Sequence, residues 1–175
     1  MDESQEIDFI INTYEDIFSD FDSRDYDKKS LSNDFLSECR NASVDKRHEG
    51  IEVKITLPDK LRDENKEEII KKRLMNHFGK HHKMLEAEWA KRLKKSLLMI
   101  SFGIIFSVIN TLINHYLADS NEIFIDLFLV IFEPASWFFL WEGLAQLMFE
   151  PSVSRLERIF YKKMSKVIVS FYSQK

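Results

Sequence analysis

The chain contains few of the residues that break or cross-link a backbone. Its 175 residues include one cysteine, three prolines and four glycines. The single cysteine, Cys39, excludes an intramolecular disulfide and any metal site built from several thiolates. The scarcity of proline and glycine argues against a disordered linker and against an all-β protein with many tight turns. We therefore expect long helices.

The sequence also lacks the local motifs of the common enzyme classes. It contains no phosphate-binding glycine loop, no GxSxG motif and no nucleophilic cysteine paired with a histidine and an orienting acid. Catalysis therefore has no visible residues, and we predict a protein that is not an enzyme and needs no cofactor.

Two long segments lack the charge that soluble segments of this length carry. Residues 96–117 contain no Asp, Glu, Lys or Arg, and about 20 apolar residues suffice to cross ~30 Å of hydrocarbon as a helix. Residues 123–149 are also long enough, although Asp126, Glu133 and Glu142 would each disfavour insertion at mid-depth. The alternative is a buried hairpin in a soluble bundle, but the short chain leaves too little polar sequence to cover both segments. We predict a transmembrane hairpin over residues 96–149.

Lysine and arginine flank the two predicted spans and are absent from residues 118–122 between them. By the positive-inside rule, this asymmetry places both termini in the cytoplasm. Cations beside a span also attract anionic lipid head groups, at about 1 kcal/mol each. The position of the basic residues beside the spans is therefore explained by topology and by lipid head groups, and we predict no nucleic-acid partner. The cations predicted to contact head groups are Lys91, Arg92, Lys94, Lys95, Lys162 and Lys163.

The residues before the first span predict a small α+β domain. Residues 6–21 show helical apolar spacing, and Ser30 or Ser32 could cap a helix that ends near Ala42. Residues 51–57 alternate strictly between apolar and polar, which is typical of a half-buried strand. A lone strand leaves its backbone groups unpaired, so we predict that it pairs with residues 166–172.

The predicted organisation has three parts. Residues 1–95 form the cytoplasmic α+β domain, which includes a membrane-proximal helix over residues 63–95 that is expected to continue into the first span. Residues 96–149 form the hairpin of helices 96–117 and 123–149. Residues 150–175 form an interfacial helix and the C-terminal strand. The membrane-proximal helix has an apolar stripe that either forms an oligomer seam or faces the small domain. The residues of this stripe are Ile70, Leu74, Phe78, Leu85, Trp89 and Leu93.

Glu133 is the most unusual residue of the predicted spans, because it lies near mid-membrane depth, where a carboxyl group is costly. Folding the hairpin near residue 120 brings it level with a polar side of the first helix, which consists of Ser107, Asn110, Asn114 and His115. Either these residues serve a proton or ion path or a polar subunit seam, or a protonated Glu133 merely bonds the neighbouring helix. Glu142 lies nearer the cytoplasm, where Lys95 is predicted to form an ion pair with it.

His77 and His81 lie four residues apart on the predicted membrane-proximal helix, a spacing at which two imidazoles can share a metal. No glutamate follows the first histidine, as the zinc-protease motif requires, and no third ligand is evident. A solvated basic helix face explains the same residues, so we predict no metal site.

Three segments carry a family resemblance. They are FSDFDSRDYDKKSLSNDFLSEC at 18–39, LPDKLRDENKEEIIKKRLMNHF at 57–78 and SWFFLWEGL at 136–144. Together they resemble a family of small prokaryotic two-span membrane proteins of uncharacterised function. The resemblance implies a two-span layout and carries over no activity and no site residues.

The sequence therefore predicts a mainly α, two-span inner-membrane protein that works as a homo-oligomer. The preferred function is a channel-like or membrane-disrupting effector module controlled by its cytoplasmic domain. The alternative is a non-enzymatic anchor or adaptor that holds a soluble cytoplasmic partner through the acidic first 45 residues, which contain 13 acids and 4 bases.

Overall fold

The structure, a computed structural model, describes residues 6–46, 51–117, 123–149 and 152–174. Its elements in chain order are strand β1 (Glu6–Ile10), a 3₁₀ helix (Tyr14–Ile17), helix α1 (Asn33–Ala42), strand β2 (Glu52–Pro58), a second 3₁₀ helix (Asp59–Leu61), helices α2 (Glu64–Leu117), α3 (Ile123–Met148) and α4 (Ser152–Met164), and strand β3 (Ile168–Gln174). The chain divides into two compact units. We call Met1–Leu85 with Arg155–Lys175 the sheet unit and Glu86–Ser154 the hairpin unit. The predicted continuity of the membrane-proximal helix with the first apolar run is confirmed, since both belong to α2.

The three strands form one parallel sheet in the order β1-β2-β3. At the centre of the sheet, Ile55 of β2 pairs with Phe9 of β1 and with Phe171 of β3. The predicted pairing of the strand at 51–57 with the C-terminal segment is confirmed, although β3 begins two residues later than expected. Parallel neighbours require long crossovers, and both connections here contain helices.

Strand β1 corrects the prediction for residues 6–21, which was a single amphipathic helix. These residues instead form β1 and the first 3₁₀ helix. The apolar spacing of this segment suits a helix, but Ile7 and Phe9 also alternate, and the open edge of β2 offers them backbone partners. A distant pairing partner thus overrode the local periodicity.

The core of the sheet unit lies on one face of the sheet. Strand β2 buries every second residue there, and the first turns of α2 pack in the same core. The apolar stripe of the membrane-proximal helix therefore faces the small domain over Ile70, Leu74, Phe78 and Leu85, as one of the two alternatives predicted. The principal core residues are Val53, Ile55, Leu57, Ile70, Leu74, Phe78, Phe35, Cys39, Phe160 and Met164.

Helix α4 corrects the prediction of an interfacial helix. Phe160 and Met164 lie on the apolar face of this helix, but they are 3% and 0% exposed and pack in the core of the sheet unit. Leu156 also belongs to this apolar face, and its side chain is 64% exposed. An amphipathic helix buries its apolar face equally well in lipid or in protein, so the pattern alone did not discriminate between the two.

Side chains cap both ends of α1. Ser32, one of the two predicted capping residues, precedes the helix, and its Oγ accepts a hydrogen bond from the Asp34 amide at 3.2 Å. At the other end, the buried Lys163 ammonium donates to the carbonyls of Ser43 (2.9 Å), Val44 (3.3 Å) and Lys46 (2.7 Å). A cation at a helix C-terminus also complements the helix dipole. The prediction that Lys163 contacts head groups therefore needs correction, because the fold uses its charge internally.

Candidate functional site

The hairpin unit contains two helices that are long and apolar enough to cross a membrane. Of the most apolar 18 residues in α2 and in α3, 11% and 6% respectively are buried. A core helix of a soluble protein would bury most of this surface, whereas an exposed apolar surface of this size marks an interaction with lipid or protein. The exposed apolar side chains include Leu98, Ile104, Ile105 and Val108 on α2, and Phe124, Val130, Trp137 and Trp141 on α3.

Small residues hold α2 and α3 in close antiparallel contact. A Cβ atom at Gly103 would lie 2.6 Å from Leu140 Cγ, 2.8 Å from the Leu140 amide nitrogen and 3.0 Å from the Ser136 carbonyl oxygen. The contact is reciprocal, because a Cβ atom at Gly143 would lie 2.7 Å from Ile100 Cγ1. Backbones approach this closely only where side chains are absent or small, as is common between membrane helices.

A hydrogen bond joins a side chain of α2 to the backbone of α3 at this contact. The buried Ser96 Oγ donates to the Gly143 carbonyl at 2.5 Å. Ser136 is also buried, and its Oγ donates within α3 to the Phe132 carbonyl at 2.7 Å. The sequence prediction missed this packing site. The repeated spacing of seven residues, from Ser96 to Gly103 and from Ser136 to Gly143, is the signal that would have indicated it.

The predicted intramembrane polar cluster is not assembled within one chain. The Glu133 side chain is exposed, and it forms no hydrogen bond or ion pair with any other residue in the described ranges. Nearby on α2, the Ser107 carbonyl accepts from Thr111 Oγ1, and the buried Asn110 Oδ1 has no partner. Further along, Asn114 is exposed, and the exposed His115 ring contacts only its neighbour Tyr116, at 4.8 Å between ring centroids.

Glu142 and Lys95 do not form the predicted ion pair. The Glu142 Oε1 atom accepts a hydrogen bond from Gln146 Nε2 at 2.8 Å, and the same Nε2 lies 3.4 Å from Met99 Sδ. A partner one turn away on α3 thus satisfies the acid. Lys95 instead lines an open cleft of about 490 Å³ with Lys91, Arg92, Gln146 and Phe149.

The predicted head-group cations therefore separate into distinct environments. Lys91, Arg92 and Lys95 share the cleft in the hairpin unit. Lys94 is exposed but does not line the cleft, and Lys162 is exposed on α4 in the sheet unit. Lys163 is the buried cap of α1.

The polar groups at the carboxyl ends of the strands form an internal network in the sheet unit. Arg62 donates two hydrogen bonds to the buried Glu67 carboxylate, at 2.9 and 2.8 Å, and these bonds hold the pKa of Glu67 below its usual value. Tyr14 donates to the same carboxylate at 3.1 Å and accepts from the Asp63 amide at 3.0 Å. Burial is the main cause of the raised pKa of Tyr14. Ligands of open parallel sheets bind at such an edge, but here the charges satisfy one another.

The histidine pair of α2 packs against α4. His77 and His81 lie 4.4 Å apart between ring centroids, and His81 stacks on Tyr161 at 4.9 Å. Burial, aided by the nearby charges of His81, Arg73 and Lys80, lowers the pKa of His77 to about 4. In the described part of the chain, no group of three or more His, Cys, Asp or Glu side chains is arranged to hold a metal ion.

Comparison with known proteins finds no family model, no curated protein and no solved structure that matches this chain.

Proposed function

We propose that the protein is an integral inner-membrane protein whose α2–α3 hairpin spans the bilayer, with both termini in the cytoplasm. It works as a homo-oligomer, as a channel-like or membrane-disrupting module that the sheet unit controls. The exposed apolar surface of both helices and the placement of Lys and Arg outside the spans support this proposal. The connecting segment 118–122, on which the orientation depends, lies outside the described residues.

The exposed carboxyl group of Glu133 is the observation that carries the proposal. Glu133 is the eleventh residue of α3, which places it about 15 Å along a helix that must cross about 30 Å of hydrocarbon. The interface with α2 is closed by small residues and offers Glu133 no hydrogen bond. Because an unpaired carboxyl is costly at this depth, we expect it to meet a second subunit or a water-filled path.

The neighbours of Glu133 support an assembly face. Trp137 and Trp141 follow at intervals of four residues and are 69% and 68% exposed, so these two indoles and the exposed Glu133 lie along one side of α3. Ser136 and Gly143 lie on the face that contacts α2. A stripe of one acid and two indoles gives a second copy both a hydrogen-bonding group and a large apolar area to pack against.

The test compares two intramembrane acids in proteoliposomes. Glu133→Gln preserves size and hydrogen bonding but cannot ionise, so it should alter ion flux while insertion and abundance stay nearly unchanged. Glu142→Gln is the matched control: it removes the same charge from the same helix, but its side-chain oxygen can still accept from Gln146. We expect this control to leave flux unchanged.

A second substitution makes the test decisive. If Glu133 is only a structural acid, Glu133→Leu should be tolerated or even stabilising, because the desolvation cost disappears with the carboxyl group. A silent Glu133→Gln together with a well-behaved Glu133→Leu, in both flux and subunit number in detergent, would end the claim for this residue.

The outer face of the sheet favours the adaptor as the second candidate. Ile10, Ile168 and Tyr172 project from this face and are 73%, 61% and 44% exposed, and no described element covers them. Exposed apolar side chains of this kind are common at protein interaction sites. An adaptor should give no ion flux in proteoliposomes with the unmodified chain, which separates it from the preferred function.

A further inference from the structure

The cleft at one end of the hairpin unit combines three cations with an exposed aromatic ring. Lys91, Arg92 and Lys95 come from α2, while Gln146 lies in the last turn of α3 and Phe149 directly follows the helix. The antiparallel contact of Ser96 with Gly143 brings these two chain segments to the same level. The cleft thus lies where the charged part of α2 gives way to its apolar run.

The three cations have no counter-ion in the described part of the chain. None of them forms an ion pair or hydrogen bond there, although residues 91–95 carry four positive charges, of which Lys94 lies outside the cleft. Like charges held this close together favour the binding of an anion.

The surface beside the cleft indicates what kind of anion binds. Phe149 is 70% exposed at the cleft itself, and Met148 is 74% exposed beside it. On α2, Leu97 and Leu98 are 51% and 53% exposed immediately after the last cation. A small soluble anion would leave these apolar groups uncovered, whereas a phospholipid would cover them with its acyl chains.

We propose that this cleft is a binding site for the phosphate head group of an anionic phospholipid. Lys91, Arg92 and Lys95 bind the phosphate, and the apolar surface around Phe149 packs against the glycerol backbone and the first methylene groups. Basic pockets beside membrane helices are suited to such head groups. The site rests on the proposed membrane insertion of the hairpin, but not on oligomerisation or ion flux.

The experiment measures lipid binding to the full chain in neutral detergent micelles by native mass spectrometry. Phosphatidylglycerol and phosphatidylcholine are titrated separately. Each cation near an anionic surface contributes about a fivefold change, so the triple variant Lys91→Gln, Arg92→Gln, Lys95→Gln should bind phosphatidylglycerol about 100-fold more weakly. Its affinity for phosphatidylcholine should be unchanged.

Matched control variants distinguish lipid binding at this cleft from non-specific attraction to the positive charge of the chain. The triple variant Lys72→Gln, Lys80→Gln, Lys83→Gln removes three cations from the same helix within the sheet unit, and it should bind as the unmodified chain does. If the first triple variant fails to fold, Lys95→Gln and its neighbour Lys94→Gln decide the question, since only the former should weaken binding, by about fivefold.

Three results would overturn the proposal. Equal losses in the two triple variants would show diffuse attraction, and no loss in the first would show that the cleft does not bind the lipid. Inorganic phosphate that binds as tightly as phosphatidylglycerol and displaces it would make the ligand a free anion. Carbonate extraction of the chain from membranes tests insertion separately, so failure of the proposed function would be recognised independently.

Discussion

Gly103 and Gly143 are predicted to set the distance between α2 and α3. An alanine Cβ at Gly103 would lie 2.6 Å from Leu140 Cγ, whereas carbon atoms in favourable contact lie about 3.5–4.0 Å apart. The 2.8 Å contact is with a backbone nitrogen, so rotation of the Leu140 side chain alone cannot relieve the overlap. The helices must therefore separate by about 1 Å to restore that contact distance.

The expected cost follows from three terms. Overpacking of a close contact costs about 1–3 kcal/mol. Separation also weakens the bond from Ser96 to the Gly143 carbonyl, which in a membrane is worth about 0.6–1.7 kcal/mol. Alanine regains about 1 kcal/mol of helix propensity relative to glycine. We expect Gly103→Ala and Gly143→Ala each to lower the free energy of unfolding by a net of about 1–3 kcal/mol.

The double variant provides a sharper criterion. Both contacts depend on one interhelical distance, so a helix pair already separated by the first alanine accommodates the second at a lower cost. We therefore expect the double variant to lose less stability than the sum of the two single losses. Gly79→Ala is the matched control, because its Cβ would meet nothing within 4 Å, and it should be neutral or stabilising by up to about 1 kcal/mol.

The assay is unfolding by sodium dodecyl sulfate in mixed micelles, followed by circular dichroism and by the fluorescence of Trp137 and Trp141 in the hairpin. Gly103→Ala and Gly143→Ala variants as stable as the unmodified chain would refute the reasoning. A Gly79→Ala variant that is destabilised as much as they are would show that the loss comes from helix interiors in general and not from the interhelical contact.

Three further predictions concern the sheet unit. Lys163→Met should lower its free energy of unfolding by about 1–3 kcal/mol, because the three carbonyls that follow α1 lose their shared donor, whereas the exposed neighbour Lys162→Met should change thermal stability little. The His77 pKa of about 4 lies below the unfolded value of about 6.5, so the unfolded state binds the proton first and stability should fall as the pH drops from 6.5 to 4. This loss should reach about 1–2 kcal/mol after allowance for solvent screening, and a His77→Gln variant with the same pH profile of unfolding would contradict it. Deleting the last ten residues removes β3, so the amides of β2 should lose protection from hydrogen exchange; unchanged protection would argue against the pairing.

Local patterns in the sequence predicted the elements that need no distant partner. The run of apolar residues at 96–117 and the absence of proline from residue 59 to residue 133 indicated the continuous helix α2. Strict alternation at 51–57 indicated β2, since a period of two is specific to strands. By contrast, β1 is short and has ambiguous spacing, so its state depended on the free edge of β2.

The same distinction holds for the candidate functional residues. The sequence located the cations at 91–95 and the acid at 133, but it did not determine which way each side chain points. The structure leaves Glu133 exposed, bonds Glu142 to Gln146 and places Lys95 at the cleft. Side-chain direction on a helix follows from rotation about its axis, and contacts with the neighbouring helix set that rotation.

The sequence by itself determined that α2 and α3 are helical and that both contain segments long and apolar enough to span a membrane, because backbone hydrogen bonding and hydrophobicity act over neighbouring residues. Only the tertiary structure decided that the hairpin closes on Gly103 and Gly143, and that Lys163 caps α1 and does not meet lipid. It also decided that Phe160 and Met164 join a protein core. Each of these outcomes depends on contacts between residues more than 30 positions apart. Patterns among neighbouring residues do not predict such contacts.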